Sequence, residues 1–274
     1  MRLEQRQNAG SLLKPQYEER SFLSLIRSLR SWCLQEQRDA FVGDARHLVF
    51  LLIDGLGEVW LQRLGSDSFL AQNQVGSLSA VYPSTTTVAL ATLATAEPPS
   101  RHGMAGWWTY LSEQDLSTTP LLAKQLSKGL CQGSKLIVSA DHGLLDIEES
   151  AKYILREGEP ILECLLTPPS GEPRNPVFHV KDGCMERFRH LFEEQFFESF
   201  ELIESRKLQA LLGGELRPVA KSRFGDFVGA ALGPSVIHYR TGQDKRRPAF
   251  IGYHGGLTPE EMRIPLISIG PKAK

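Results

Sequence analysis

Three apolar stretches of this sequence end abruptly in side chains that can bind a cation. Asp54 follows the run LVFLLI, the pair Asp141 and His142 follows KLIVSA, and His254 follows PAFIGY. A continuous apolar run of this kind is typical of a strand that is buried on both faces of a sheet. In open α/β sheets, ligands gather beyond the carboxyl ends of the strands. We therefore expect these four side chains to meet at one edge of a sheet.

Taken one at a time, these positions have simpler interpretations. Asp54 and Asp141 each lie close to a glycine, and both residue types favour turns, while the glycines after His254 mark a loop. Taken together, two carboxylates and two imidazoles supply the oxygen and nitrogen ligands that suit zinc or manganese. A cation would also be a partner for a buried carboxylate and imidazole. The combination predicts a metal site.

Three consecutive threonines, Thr85, Thr86 and Thr87, precede an Ala- and Leu-rich stretch that favours a helix. Threonine at the start of a helix usually caps the first turn. A threonine hydroxyl also becomes a nucleophile when a metal or a base removes its proton. The free N–H groups of a helix start suit a phosphate oxygen. The residues alone leave both interpretations open.

The elements that must position these side chains indicate an α/β fold, with a central, mostly parallel sheet flanked by helices and a smaller α+β insertion. Buried strands are predicted within residues 48–53, 135–140, 248–253 and 264–270. The predicted parts are an N-terminal extension with an amphipathic helix (1–44), a metal-binding α/β core (45–149 and 246–274) and an inserted α+β subdomain (150–245). The helix is expected from the spacing of apolar residues in RSFLSLIRSLRSWCL.

The composition limits the classes of function. The 274 residues carry a formal net charge of -1, which gives no indication of binding to a nucleic-acid polymer. No apolar run approaches the length that spans a membrane, and the polar N-terminus lacks the apolar region of a secretory signal. Four scattered cysteines without a CxxC pair indicate reduced thiols. We expect a cytoplasmic protein that does not bind membranes, and the sequence leaves its oligomeric state open.

Four segments resemble a known family. They are LLIDGLG, YPSTTTVALATLATAEPPSRHGMAGW, IVSADHG and HGGLTPEEMRIPLI. In type and order they resemble the type I phosphodiesterase/nucleotide pyrophosphatase family of the alkaline phosphatase superfamily. The likeness covers most of residues 45–274. It implies an alkaline-phosphatase-like fold and metal-dependent hydrolysis of a small-molecule phosphate ester.

The resemblance also implies roles for individual residues. The ligands of one Zn²⁺ ion, or of Mn²⁺ in its place, would be Asp54, Asp141, His142 and Thr86. Thr86 would be the nucleophile rather than Thr85, because the family's Pro-Ser-x-Thr spacing, counted from Pro83, falls on it. His254 would belong to the second of the family's two metal ions. A small departure is Ala96, where the family usually has glycine.

A larger departure follows the nucleophile segment. There the family has an Asp-x-x-x-His segment that binds the second metal, whereas residues 104–140 contain Asp115 and no histidine. The interval is also shorter than the family's by more than one βα unit, which indicates an internal deletion between Trp108 and Lys135. The second ion would keep only His254, and one imidazole does not hold a catalytic zinc. The sheet would also lose strands and expose apolar surface.

Three functions therefore stay open. The first is hydrolysis of phosphate esters of the phosphodiesterase or nucleotide pyrophosphatase type, through Thr86. The second is a catalytically impaired relative that binds one metal ion or a phosphate ester without turnover. The third is a phosphomonoesterase or phosphomutase of the same superfamily. The sequence has no G-x-S-x-G elbow and no GxxxxGK[ST] loop, which argues against a serine hydrolase and a P-loop NTPase.

Overall fold

A computed structural model describes residues 2–35, 41–43, 45–111, 116–118, 134–241 and 250–269. The helices in these residues are α1 (Arg2–Asn8), α2 (Phe22–Cys33), α3 (Glu58–Arg63), α4 (Phe69–Gln72), α5 (Thr86–Thr95), α6 (Pro99–His102), α7 (Pro160–Glu163), α8 (Met185–Phe196), α9 (Gln209–Leu212), α10 (Pro218–Arg223) and α11 (Pro259–Met262). Two short 3-10 helices cover Glu149–Ala151 and Ser205–Lys207.

The strands form several small sheets. They are β1 (His47–Ile53), β2 (Gln74–Ser79), β3 (Thr109–Leu111), β4 (Leu116–Thr118), β5 (Ser134–Ala140), β6 (Leu145–Asp146), β7 (Lys152–Arg156), β8 (Ser170–Glu172), β9 (Asn175–Phe178), β10 (Phe200–Glu204), β11 (Phe227–Ala231), β12 (Val236–Arg240), β13 (Gly252–Tyr253) and β14 (Arg263–Ile269). The mixture of helices and sheets is an α/β architecture, as predicted.

The sheet next to the predicted site has the strand order β1-β5-β14-β2. Strands β1 and β5 are parallel, whereas β14 runs antiparallel to both β5 and β2. The prediction of a mostly parallel sheet is therefore not confirmed in the described residues. Strand β14 begins at Arg263, directly after the short helix α11. That helix lies beside the ends of β1 and β5, because Gly143 N–H donates to the Glu261 carbonyl oxygen at 2.8 Å. Strand β14 therefore starts at the edge where β1 and β5 end.

Strand β1 is much less buried than its apolar sequence predicts. None of its seven residues is buried, and Leu51 is 45% exposed. In the part of the chain that the structure describes, β1 pairs with β5 alone and lies at the edge of its sheet. The prediction that both faces are buried is therefore wrong for β1. The position of the proposed deletion, including Asp115, lies outside the described residues.

The N-terminal helix α2 packs on the core through its apolar face. Ser21 caps the helix with a reciprocal bond to Ser24, and Phe22, Ile26 and Leu29 are buried. The same apolar cluster contains core residues and residues of the 150–245 segment, such as Val177. All three predicted parts of the chain therefore share one core, while their boundaries stay a prediction.

The 150–245 segment contains an antiparallel sheet of order β10-β11-β9-β8. Helix α8 packs on it through phenylalanines at helical spacing, Phe188, Phe192 and Phe196. The hairpin formed by β8 and β9, residues 170–178, lies against the sheet edge that carries the predicted site, as described below. This segment therefore reaches the core and does not stand apart from it.

Two composition-based expectations concern cysteines and membrane spans. Three cysteines, Cys33, Cys164 and Cys184, are free thiols, and Cys131 lies outside the described residues. Among the helices given above, none is both long enough and apolar enough to cross a bilayer.

Candidate metal centre

The parallel pairing of β1 with β5 brings two aspartates together. The register pairs Ile53 with Ala140, the last residue of each strand. Asp54 and Asp141 come next in the chain, so both leave the sheet at the same edge. The Gly55 N–H then donates to Asp141 Oδ1 at 3.0 Å, which ties the two strand ends together. Asp54 and Asp141 therefore meet at one edge of the sheet, as their positions after two apolar runs predict.

Asp54, Asp141 and His142 form a compact group of potential ligands. One ligand atom from each lies within 4.8 Å of the others. His142 Nε2 is 3.6 Å from Asp141 Oδ2 and 3.7 Å from Asp54 Oδ1. Two ligands at about 2.1 Å from a tetrahedral zinc ion lie about 3.4 Å apart. The spacing of the three residues therefore fits a shared cation.

The Asp141 carboxylate has one oxygen that lacks a partner. Oδ1 accepts from the backbone N–H groups of Gly55 and His142. Oδ2 is buried and has no hydrogen-bond partner, whereas nearly all buried polar atoms have one. Oδ2 is also the oxygen that faces His142 Nε2. A bound cation would satisfy it, so the residues present fit a metal ion.

The hydrogen bonds of His142 leave its second ring nitrogen free to act as a ligand. Nδ1 lies 2.8 Å from the Gly143 carbonyl oxygen, which can only accept, so we assign the ring proton to Nδ1. Nε2 then carries a lone pair and lies 3.6 and 3.7 Å from carboxylate oxygens of Asp141 and Asp54. This is the usual arrangement of a metal-binding histidine, whose other nitrogen donates to a carbonyl or carboxylate.

The hydroxyl of Thr86, the first residue of α5, lies at the same cluster. Its Oγ1 is 3.0 Å from His142 Nε2. Desolvation and then the Asp141 carboxylate raise the pKa of Asp54, whereas His142 and a hydrogen bond with Thr86 lower it. The Asp54 side chain is 73% exposed, so solvent screens much of this effect. The structure thus brings Thr86 to the cluster through contacts with His142 and Asp54.

Thr85 is directed elsewhere. It is the N-cap residue of α5, but its side chain makes no capping hydrogen bond. Its hydroxyl instead donates to Glu172 Oε1 at 2.9 Å. The two neighbouring threonines therefore have different surroundings, and of the two it is Thr86 that contacts His142.

His254 lies beside the cluster but is not part of it. Its ring centroid is 4.2 Å from that of His142. It follows the two-residue strand β13, and Phe250 and Ile251 before that strand are each 67% exposed. The prediction of a buried core strand before His254 is therefore wrong, because β13 pairs with β6 outside the main sheet.

The electrostatic state of His254 is compatible with metal binding. Burial, and then the neighbouring His142 and Arg174, lower the pKa of His254 to about 3. The imidazole is therefore neutral at physiological pH, and its buried Nδ1 has no hydrogen-bond partner. Among the residues with described positions, the group of Asp54, Asp141 and His142 is the one cluster of three or more such ligands.

Two charged residues near the site were not found by sequence reasoning. Glu172 is 4% exposed, and burial raises its pKa to about 7, against the backbone N–H of Trp107 and the Thr85 hydroxyl, which lower it. Arg174 is fully buried and pairs with Glu261. The only sequence signal nearby is the glycine and proline of SGEPRN, which mark a turn and do not reveal burial.

Comparison with known proteins gives no match to a protein-family model and none among curated proteins. Solved structures do match. Murine ectonucleotide pyrophosphatase/phosphodiesterase 5 has a TM-score of 0.37 and 16% identity, over 50% of this chain and 34% of that chain. The human protein of the same name has a TM-score of 0.38 and 15% identity, with the same coverage. An inactive variant of the murine protein in complex with AMP has a TM-score of 0.35 and 17% identity, over 51% of this chain and 34% of that chain.

These values describe a limited likeness. The chain spans about a third of the length of those three proteins, and the TM-scores are too low to support an inference about function.

Proposed function

We propose that this protein hydrolyses phosphate esters of the phosphodiesterase or nucleotide pyrophosphatase type, with a divalent metal ion and with Thr86 as the nucleophile. The observation that carries the proposal is the position of the Thr86 hydroxyl, 3.0 Å from His142 Nε2. A hydroxyl in contact with a cluster of carboxylates and an imidazole is suited to nucleophilic catalysis when a metal ion or base activates it.

Asp54, Asp141 and His142 would hold the ion, and their mixed oxygen and nitrogen donors suit Zn²⁺ or Mn²⁺. When bound, such an ion supplies Lewis acidity, which stabilises the ionised Thr86 hydroxyl and the negative charge of the phosphate. We place His254 beside this cluster as a neutral imidazole, with its ring centroid 4.2 Å from that of His142.

The chain's own groups account for the covalent steps. The Thr86 oxygen attacks phosphorus and its proton passes to solvent, while the bond between phosphorus and the ester oxygen breaks and that oxygen takes up a proton to leave as an alcohol or a phosphate. Water then attacks the phosphorus of the phosphothreonine, the bond to the Thr86 oxygen breaks, the remaining phosphate monoester is released, and a proton returns to the Thr86 hydroxyl. Because the Thr85 side chain does not cap α5, the first N–H groups of this helix are left to bind a phosphate oxygen.

A second candidate is a protein that binds one metal ion or a phosphate ester without turnover. It is favoured by the position of His254, which lies outside the one ligand cluster that the described part of the chain contains. A two-metal mechanism needs ions about 3.5–4 Å apart, each with its own ligands. Metal stoichiometry and turnover together separate the two candidates.

The test is hydrolysis of bis(p-nitrophenyl) phosphate and of p-nitrophenyl phosphate by protein loaded with Zn²⁺ or Mn²⁺. We expect Thr86→Ala to lower kcat at least about 1,000-fold while metal content is unchanged, and Thr86→Ser to keep part of the activity. Thr87→Val is the matched control, because Thr87 is buried and its hydroxyl has no partner. Unchanged activity in Thr86→Ala would exclude Thr86 as nucleophile. One bound ion with no turnover of either ester would favour the second candidate.

A further inference from the structure

We propose that Glu172 is a positioning residue for Thr86, supplied to the site by the β8–β9 hairpin of the 150–245 segment. The inference rests on the proposed function, since it assigns a role toward the same hydroxyl. The sequence presents the 150–245 segment as an insertion. If Glu172 positions Thr86, part of this segment is necessary for the geometry of the site.

The first observation is that Glu172 holds the residue before Thr86. Glu172 Oε1 accepts hydrogen bonds from the Thr85 hydroxyl at 2.9 Å and from the Trp107 backbone N–H at 2.7 Å. Thr85 itself is fully buried and extended, with φ -141 and ψ 151. Its peptide group leads directly into Thr86, so a bond that fixes Thr85 also fixes the start of α5.

The second observation is that Glu172 is closely packed by backbone on two sides. A Cβ atom at Gly255, where φ is +106, would lie 2.9 Å from Glu172 Cβ, and a Cβ at Gly106 would lie 3.0 Å from Glu172 Oε1. A distance of 2.9 Å is too short for a real contact, and a Cβ at Gly106, where φ is +152, would also lie 2.8 Å from the Gly171 carbonyl carbon, so both positions need glycine. Glu172 is therefore enclosed by the segment that follows α6 and by the loop that carries His254.

The third observation is that the hairpin itself is fixed to the core. Arg174 Nε and Nη2 donate to Glu261 at 2.6 and 2.8 Å, and Nη1 donates to the carbonyl oxygens of Gly233 and Ser235. Asn175 accepts a hydrogen bond from the Tyr82 hydroxyl. All three guanidinium nitrogens of Arg174 and both carboxylate oxygens of Glu261 therefore have partners, and a buried polar group that is satisfied in this way is held rigidly. The hairpin can therefore act as a fixed support for Glu172.

These contacts assign a positioning role rather than a catalytic one. Glu172 Oε1 is already engaged by Thr85 and Trp107, and its effect on the reaction would pass through Thr85. A nucleophile displaced by about 1 Å can lose about 100-fold in rate. The effect of removing Glu172 should therefore fall on kcat and on the surroundings of the Thr86 hydroxyl.

The experiment compares three variants with a matched control. Glu172→Ala removes the carboxylate. Glu172→Gln keeps an acceptor oxygen on a side chain of the same length, and Glu172→Asp shortens the side chain and so moves the oxygen away from Thr85. The control is Glu201→Ala, because Glu201 is also a buried carboxylate of the 150–245 segment that accepts from a backbone N–H, that of Leu3 at 2.6 Å. It makes no contact with the metal cluster. Two readouts are used: steady-state hydrolysis of bis(p-nitrophenyl) phosphate by metal-loaded protein, and the side-chain ¹⁵N signals of metal-free, histidine-labelled protein.

We expect Glu172→Ala and Glu172→Asp to lower kcat about 10- to 100-fold with KM changed less than about 2-fold, and Glu172→Gln to stay within about 3-fold of the parent. The Nε2 signal of His142, identified by its loss in His142→Asn, should shift in Glu172→Ala, because the Thr86 hydroxyl bonds to this atom. Glu201→Ala should change neither readout.

Equal behaviour of Glu172→Ala and Glu201→Ala in both readouts would overturn the inference. If Glu172→Ala does not fold, Glu172→Asp decides, and an unshifted His142 signal with parental kcat in that variant would also overturn it. If the parent protein shows no turnover but the His142 signal still shifts in the Glu172 variants alone, the positioning role stands and the proposed function fails.

Discussion

Thr86 Oγ1 lies 3.0 Å from His142 Nε2, although 56 residues separate the two in the sequence. The start of helix α5 and the end of strand β5 meet at this point. Because the His142 ring proton is assigned to Nδ1, which faces the Gly143 carbonyl, Nε2 is an acceptor, and the Thr86 hydroxyl has both Nε2 and the Asp54 carboxylate as hydrogen-bond partners. Nε2 also lies 3.7 Å from Asp54 Oδ1 and 3.6 Å from Asp141 Oδ2, so the hydroxyl and the three ligand groups lie at the same site.

Asp141 should be required for metal binding. We expect Asp141→Asn to weaken binding of Zn²⁺ or Mn²⁺ at least about 100-fold, since loss of an outer-shell partner alone typically costs 10- to 100-fold. Isothermal titration calorimetry measures the change. Asp146→Asn is the control, because Asp146 is exposed on β6 nearby. Equal affinity in both variants would exclude the carboxylate cluster as the binding site.

The buried pair of Arg174 and Glu261 should contribute strongly to stability. In Arg174→Met the buried Glu261 carboxylate loses its charged partner, which should lower the free energy of unfolding by about 3–5 kcal/mol. Arg187→Met is the matched control, because Arg187 and Glu163 form an exposed pair, with side chains 55% and 61% exposed, and should cost less than about 1 kcal/mol. Urea unfolding of both variants measures the difference, and similar losses would contradict the expectation.

Glu172 should make stability depend on pH. Burial raises its pKa in the folded protein from 4.5 to about 7, so between these pH values the folded state holds a proton that the unfolded state has released. Its contribution is fully present below about pH 4.5 and is lost as the pH rises to about 7, by an amount on the order of 3 kcal/mol. Urea unfolding of the parent and of Glu172→Gln across this range measures the effect. Parallel pH profiles for the two proteins would contradict it.

Local patterns in the sequence predicted many of the elements. The spacing of Phe22, Ile26 and Leu29 predicted helix α2, and the continuous apolar runs predicted strands β1, β5 and β14. The sequence could not give the direction of β14, since strand direction depends on where the preceding chain leaves the sheet. It also overestimated the burial of β1, because burial depends on neighbours that a strand's own sequence does not specify.

The site shows the same division between local and tertiary information. Asp54 and Asp141 could be placed together because parallel strands end at the same edge. The roles of Thr86 and His254 were assigned through the family resemblance and stay predictions, and the buried core strand predicted before His254 is not present, since β13 pairs with β6. Glu172 and Arg174 could not be found, because a charged residue in a turn normally indicates exposure, and their burial follows from how the hairpin packs on the core.

The departure at Ala96 has a measurable consequence. Ala96 is the C-cap of α5 and has φ +56, a left-handed conformation that favours glycine. We expect Ala96→Gly to stabilise the protein by about 0.5–1 kcal/mol, because glycine adopts this conformation without a steric cost. Ala94→Gly is the control within the exposed face of the same helix and should destabilise by about 0.5–1 kcal/mol. The melting temperatures of the two variants should shift in opposite directions from that of the parent protein. Shifts in the same direction would contradict this explanation of the helix cap.

The central claim is that Asp54, Asp141 and His142 hold one divalent cation beside the Thr86 hydroxyl. An anomalous difference map from zinc-soaked crystals tests it most directly. The account predicts a zinc peak about 2.0–2.2 Å from a carboxylate oxygen of each aspartate and from His142 Nε2, with Thr86 Oγ1 next to it. A map with no peak among these three residues, or with zinc bound only elsewhere, would contradict it.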